Sequence, residues 1–154
     1  MQFYLRSFRL AATVLAFTSL AACSKKDDAT PTPTATEGMS WTIDGSNVTA
    51  TTAVAQSSGT DVTLAGSTGS TGGVFLDMPK TAGTYTLSST SAASASYVVT
   101  PSQGSSQFYD ATSGSIVVST VTATAISGTF TFTGKLSGST ATKTLTNGKF
   151  NVKL

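Results

Sequence analysis

Few residues in this chain could carry covalent or proton-transfer chemistry. Cys23 is the only thiol, histidine is absent, and the two arginines, Arg6 and Arg9, stand within the first nine residues. Beyond Gly38 the acids are Asp44, Asp61, Asp77 and Asp110, with Glu37 just before them. A Ser-His-Asp or Cys-His site needs an imidazole base and is excluded as usually built. Zinc lacks its nitrogen and sulfur ligands. No D-x-D or D-x-N-x-D spacing gathers hard oxygen ligands, which leaves calcium a minor option at a loop. Carboxylates can still hydrolyse a glycosidic bond when two face each other across a cleft, and Asp77 and Asp110 are the pair for that reaction. Their sequence contexts speak against it. Asp44 precedes Gly45, Asp61 follows SSGT, Asp77 precedes Met78-Pro79 and Asp110 opens a polar stretch, where loop and strand-end aspartates commonly stand. The expectation is a non-enzymatic chain with no cofactor, a glycosidase-like hydrolase using Asp77 and Asp110 being the distant alternative.

The surroundings of Cys23 assign the thiol a different fate. MQFYLRSFR carries two positive charges and no acid, the run LAATVLAFTSL is almost wholly apolar, and the small residues Ala21 and Ala22 follow. A basic segment, an apolar segment of about ten residues and a small-residue site make a secretory signal peptide over 1–22, too short for a membrane span. Leu20-Ala21-Ala22-Cys23 resembles the lipobox of bacterial lipoproteins. The resemblance implies cleavage between Ala22 and Cys23, lipidation of the Cys23 thiol and acylation of the new N-terminus. Two or three acyl chains, at about 0.8 kcal/mol per buried methylene, would anchor the chain to the membrane without spanning it. No thiol would remain for a disulfide or a metal. Ser24-Lys25-Lys26-Asp27-Asp28 is similar to the export signal of Bacteroidota-type lipoproteins, which implies the outer membrane with the chain facing the cell exterior; a charged spacer on the periplasmic face is the alternative.

Cleavage also changes the charge. The formal +2 comes from nine basic and seven acidic residues; without Arg6 and Arg9, seven lysines balance seven acids. A neutral chain without arginine offers no electrostatic footprint for nucleic acid. Residues 23–38 then form a lipidated tether. Its ATPTPTATEG stretch has the composition of an extended linker, and the span from Ser24 to Gly38 reaches at most about 50 Å.

The rest, residues 39–154, has the size of one domain. No 3.6-residue period is sustained, and Ser, Thr, Gly and Val dominate, all mediocre or poor helix formers. The period is two: Met39, Trp41 and Ile43 alternate with Ser40 and Thr42, and Asp44-Gly45 marks a hairpin turn. Further strands are predicted near 48–55, 61–66, 73–77, 83–87, 95–100, 107–110, 115–124, 129–136, 141–146 and 149–154, the last two separated by a turn at Asn147-Gly148. In SGTFTFTGKL, Phe130, Phe132 and Leu136 point inward, and Thr129, Thr131, Thr133 and Lys135 outward. About ten short strands joined by polar, glycine-rich turns predict an all-β fold, a single antiparallel β-sandwich or open up-and-down barrel. No fixed repeat supports a solenoid.

The patterns MSWTIDG (39–45), GTYTL (83–87), SGTFTFTG (127–134) and TNGKFNVKL (146–154) resemble a group of small Bacteroidota-type lipoproteins with an uncharacterised β-rich domain. That resemblance implies a fold and a location and carries over no functional residue.

Binding remains as a function. Sheet proteins grip sugars with exposed aromatics and amides, and the candidates are Trp41, Tyr85, Tyr97, Phe108 and Tyr109, with Asn47, Gln103 and Gln107. Trp41, Tyr85 and Tyr97 suit a core equally well, since aromatic rings bury the most area. Tyr109 is the best placed for exposure, because it and Phe108 cannot face the same side of one strand. The Thr129, Thr131, Thr133 run has the look of an ice-binding strand but lacks neighbours that would make an array. A lipocalin-like barrel holding an apolar ligand is a further option. The reading is a lipid-anchored, non-enzymatic structural or binding module of the envelope, with the membrane as partner and a glycan, small ligand or envelope protein as the possible second one.

Overall fold

The computed structural model describes residues 36–154 apart from Pro101 and Gln103. The strands are β1 (Gly38–Ile43), β2 (Ser46–Thr49), β3 (Thr52–Ser58), β4 (Asp61–Ser67), β5 (Gly72–Pro79), β6 (Gly83–Thr86), β7 (Ser94–Val99), β8 (Gln107–Val121), β9 (Ala125–Leu136) and β10 (Thr142–Lys153). One 3₁₀ turn, Gly69–Thr71, interrupts them, and the described residues hold no α-helix. The predicted all-β fold is present, as one curled antiparallel sheet in the order β2-β1-β10-β9-β8-β7-β5-β4-β3. The cleavage site, Cys23 and the Ser24–Asp28 signal lie outside the described residues.

Alternation builds the sheet. On β1 the side chains of Met39, Trp41 and Ile43 are buried and those between are not. Asp44 (φ 50°) and Gly45 (φ 77°) form the predicted turn, with the positive φ at both centres that a two-residue hairpin of this twist requires. β2 and β3 are one predicted strand bent at Ala50–Thr51. There the Ala50 N–H donates to Met39 O at 2.9 Å and the Thr51 N–H to Ser67 O at 2.7 Å. Consecutive amides thus reach β1 and β4, the strands next to the two edges of the sheet, and curl it into an open barrel.

Two predicted breaks are bulges within long strands. β10 runs through Asn147-Gly148, where pairing to β9 steps from Leu145↔Phe132 to Gly148↔Phe130. One extra residue is absorbed with Asn147 at φ 52°, so this Asn-Gly bends a strand without reversing it. β8 likewise runs through the polar SGS stretch by a bulge between Ala111 and Ser113. Its first part pairs β7 and its second part, Ser115–Val118, pairs β6. Asp110, read as opening a loop, is therefore inside a strand.

The interior is filled by side chains from both halves of the barrel, among them Trp41, Leu64, Leu76, Met78, Ile116, Phe130, Phe132, Leu145 and Phe150. Phe130 and Phe132 point in, as expected, their ring centroids 6.2 Å apart.

Candidate functional site

Residues directly opposite on neighbouring strands share a face, so the register shows what the outer wall presents. One row runs Val54, Ala65, Phe75, Ser96, Asp110, Lys135 across six strands. The adjoining row runs Ser67, Gly73, Val98, Phe108. Val54, Phe75 and Phe108 are the large apolar side chains left exposed among the described residues, at 60, 43 and 51%. All three therefore stand on one face, in a stripe crossing the strands from β3 to β8. At about 4.8 Å between strands the stripe is about 19 Å long.

The stripe has a floor. A Cβ on Gly73 would come within 2.3 Å of the Gly66 carbonyl oxygen, so β4 and β5 approach closely where the wall carries no side chain. The result is a shallow depression of about 180 Å³ between Ala65, Ser67, Phe75, Val98 and Thr100. Nearby polar groups are mostly hydroxyls and carboxylates; Thr63 donates its hydroxyl to Asp77 Oδ1 at 3.1 Å.

A second depression, of about 260 Å³, is polar and lies on the outer side of β1, β2 and β10 among Ser40, Thr42, Asn47, Thr49, Asn147 and Lys149. The Thr42 hydroxyl donates to Asn47 Oδ1 at 2.7 Å, and Asn147 Nδ2 donates to Thr42 Oγ1 at 3.5 Å. The two amides are thus engaged with one another through Thr42.

The predicted aromatics are redistributed. Tyr109, expected to be exposed, is buried at 6%, and Phe108 takes the outer position. The Ala111–Ser113 bulge sets this phase: before it Tyr109 faces inward opposite Tyr97, ring centroids 6.4 Å apart, and its hydroxyl donates to Gln107 Oε1 at 3.3 Å. Trp41, the other proposed ligand contact, is 2% exposed and belongs to the core, its indole N–H buried without a hydrogen-bond partner among the described residues. Tyr85 and Tyr97 pack against that core. Burial pushes the Tyr97 phenol above its ordinary value, with Lys143 nearby pulling the other way. Lys143 is itself raised, mainly by its hydrogen bond to Asp44 at 2.6 Å, which ties β10 to the β1–β2 turn.

The carboxylate pair does not converge. Asp77 pairs with Ser94 and Asp110 with Ser96, with β7 between them. Strand spacing puts their Cα atoms about 12 Å apart on one convex wall, so they do not face each other across a cleft as the carboxyls of glycosidases do. No group of three potential metal ligands occurs among the described residues. The threonine strand is tied into its own ladder: Thr131 donates to Leu145 O at 2.9 Å, and the Thr133 and Thr144 hydroxyls lie 3.0 Å apart.

Phe75 and Val54 had no distinguishing signal in the sequence. Phe75 lies in GVFLDMP, where an outward phenylalanine between inward Val74 and Leu76 reads as one apolar run.

A family model described as a domain of unknown function (DUF6252) matches residues 36–152. No curated protein and no solved structure matches the chain.

Proposed function

The chain belongs to the DUF6252 family, and from that premise we propose that it is a lipid-anchored module of the bacterial envelope that acts by binding through its outer wall, not by catalysis. The observation that carries the binding surface is the placement of Val54, Phe75 and Phe108 on one face while the interior is occupied by its own side chains. An interior already filled leaves a lipocalin-like ligand no volume, whereas large apolar side chains exposed together on one face mark a contact surface. The anchor rests on the sequence around Cys23, and the tether would hold the wall clear of the headgroups.

Labelling with radioactive palmitate tests the anchor: the wild-type chain takes up label and Cys23→Ala does not. Protease treatment of intact cells tests the orientation, digestion before lysis being the outcome for a chain on the cell exterior. Binding is tested by affinity capture of envelope components with the wild-type chain and with a Phe75→Ser, Phe108→Ser double variant; capture that survives the double substitution removes the stripe from the reading.

A glycan is the second reading, favoured by one feature. Phe75 and Phe108 are exposed rings beside Ser67, Ser96, Thr100 and Asp77, which would let a sugar stack its apolar face and hydrogen-bond its rim. Retention on a panel of envelope polysaccharides, lost in the double variant, would select it over a protein partner.

A further inference from the structure

The sheet has two edges, and they are built differently. β2 is four residues long, and very short edge strands are one of the ways proteins blunt an edge. β3 is seven residues, TAVAQSS, with no charge and no proline. It pairs β4 in unbroken register from Thr52↔Ser67 to Ser58↔Asp61, without a bulge. Among the described residues β4 is its sole ladder partner. Among the described residues β3 carries no charge, proline or bulge of the kind that protects an edge, although β1 and β10 approach it.

The core also thins along this strand. Leu64 on β4 is fully buried and Gly66 is buried as well. Their partners Ala55 and Ala53 are only half-buried. An added strand would complete both the ladder and the cover of these two alanines.

We propose that the β3 edge is a dimerisation edge, at which two copies of the chain pair antiparallel through Thr52–Ser58 about a two-fold axis. A strand without charge meets itself without like-charge repulsion, and self-pairing about a two-fold axis consumes both edges and closes the assembly. The main-chain ladder is that of strand addition. Val54 from each copy would stand beside the boundary on the outer face, so the two stripes would join. The chain's own Ala29–Ala35, ATPTPTA, is a poor rival. Pro31 and Pro33, two positions apart, would withhold their N–H groups along the same side. A seven-residue ladder is a small interface, so the dimer is weak in solution and is favoured when both copies are held in one membrane; that last step rests on the anchor reading.

The test uses the full mature chain carrying Cys23→Ser, so lipid plays no part and its failure is separate from a failure of the anchor. Sedimentation equilibrium up to about millimolar concentration should show a monomer–dimer equilibrium. Val54→Lys, at an exposed position, should weaken it by at least about tenfold with the melting temperature unchanged. In the same background, single cysteines at Thr52, Val54, Gln56 and Ser58 should form disulfide dimers with a maximum at the axis, and Thr84→Cys on β6 should not. A monomer throughout, a dimer indifferent to Val54→Lys, or equal cross-linking at Thr84 overturns the proposal. So does a monomer whose β3 amides are protected from exchange, which would give the edge to the chain's own N-terminal segment.

Discussion

Phe130 stands directly across the β9–β10 ladder from Gly148, and a Cβ on that glycine would come within 2.5 Å of its ring. Two positions along, the relation is reversed: Phe150 faces Gly128, where a Cβ would lie 2.6 Å from the ring. Each phenylalanine covers the glycine opposite, and the neighbouring backbone closes in as well: a Cβ would lie 2.0 Å from Val117 O at Gly128 and 2.5 Å from Phe130 O at Gly148. Neither glycine has a positive φ that would exclude alanine on backbone grounds, so the effect of a substitution is steric. Gly128→Ala and Gly148→Ala should each destabilise the fold by about 1–3 kcal/mol through overpacking. Urea unfolding of the single variants measures this, and a loss under about 0.5 kcal/mol, the range of surface substitutions, would refute the fit.

Trp41 fills the core but leaves its indole N–H without a partner among the described residues. A buried unsatisfied donor costs about 1–3 kcal/mol, which offsets part of what the ring contributes. Trp41→Phe should therefore be mild, within about 1.5 kcal/mol of wild type, whereas Trp41→Ala should cost about 3–5 kcal/mol. Unfolding curves for the two variants give the comparison directly. Equal losses would mean that the N–H has a partner.

Much of this barrel is legible in the sequence where local chemistry has one solution. Asp44-Gly45 gives a turn because a hairpin there needs positive φ at both residues, and Met39-Trp41-Ile43 gives a core face because alternation has a fixed period. The other Asn-Gly, at 147–148, shows the limit. The same positive φ at Asn147 serves a bulge as well as a turn, and only the partner strand β9, distant in sequence, decides between them. The candidate site depends on such long-range phase. Tyr109 or Phe108 must point outward, and the choice is made by the Ala111–Ser113 bulge two residues later. Phe75 was hidden for a related reason, since exposure is a property of the face and not of the residue type.

Substitutions in the stripe should separate binding from stability. Phe75 and Phe108 are about half exposed, so replacing both with serine should shift stability by no more than about 1 kcal/mol, near the ±0.5 kcal/mol per surface site. Binding through the wall should be lost. A double variant that unfolds, or a stability loss of several kcal/mol, would identify the two rings as packing residues.

Alkaline pH should weaken the fold through Tyr97 and Lys143. Both hold their protons more tightly in the folded state, the phenol because burial disfavours the phenolate and the ammonium because Asp44 accepts its hydrogen bond. A group whose folded pKa is raised contributes stability that is complete below its unfolded value and is lost as pH rises through the folded value. The window therefore opens at about pH 10, where free tyrosine and lysine begin to titrate. The ion pair is partly exposed, 31% at Lys143 and 65% at Asp44, so its share is under about 1 kcal/mol. Tyr97→Phe and Lys143→Met should each flatten the fall in melting temperature above about pH 10, and the two together should flatten it further. The absorbance titration of the wild-type protein should contain a late component that is lost in Tyr97→Phe. A fall that is equally steep in both variants would place the alkaline sensitivity elsewhere in the molecule.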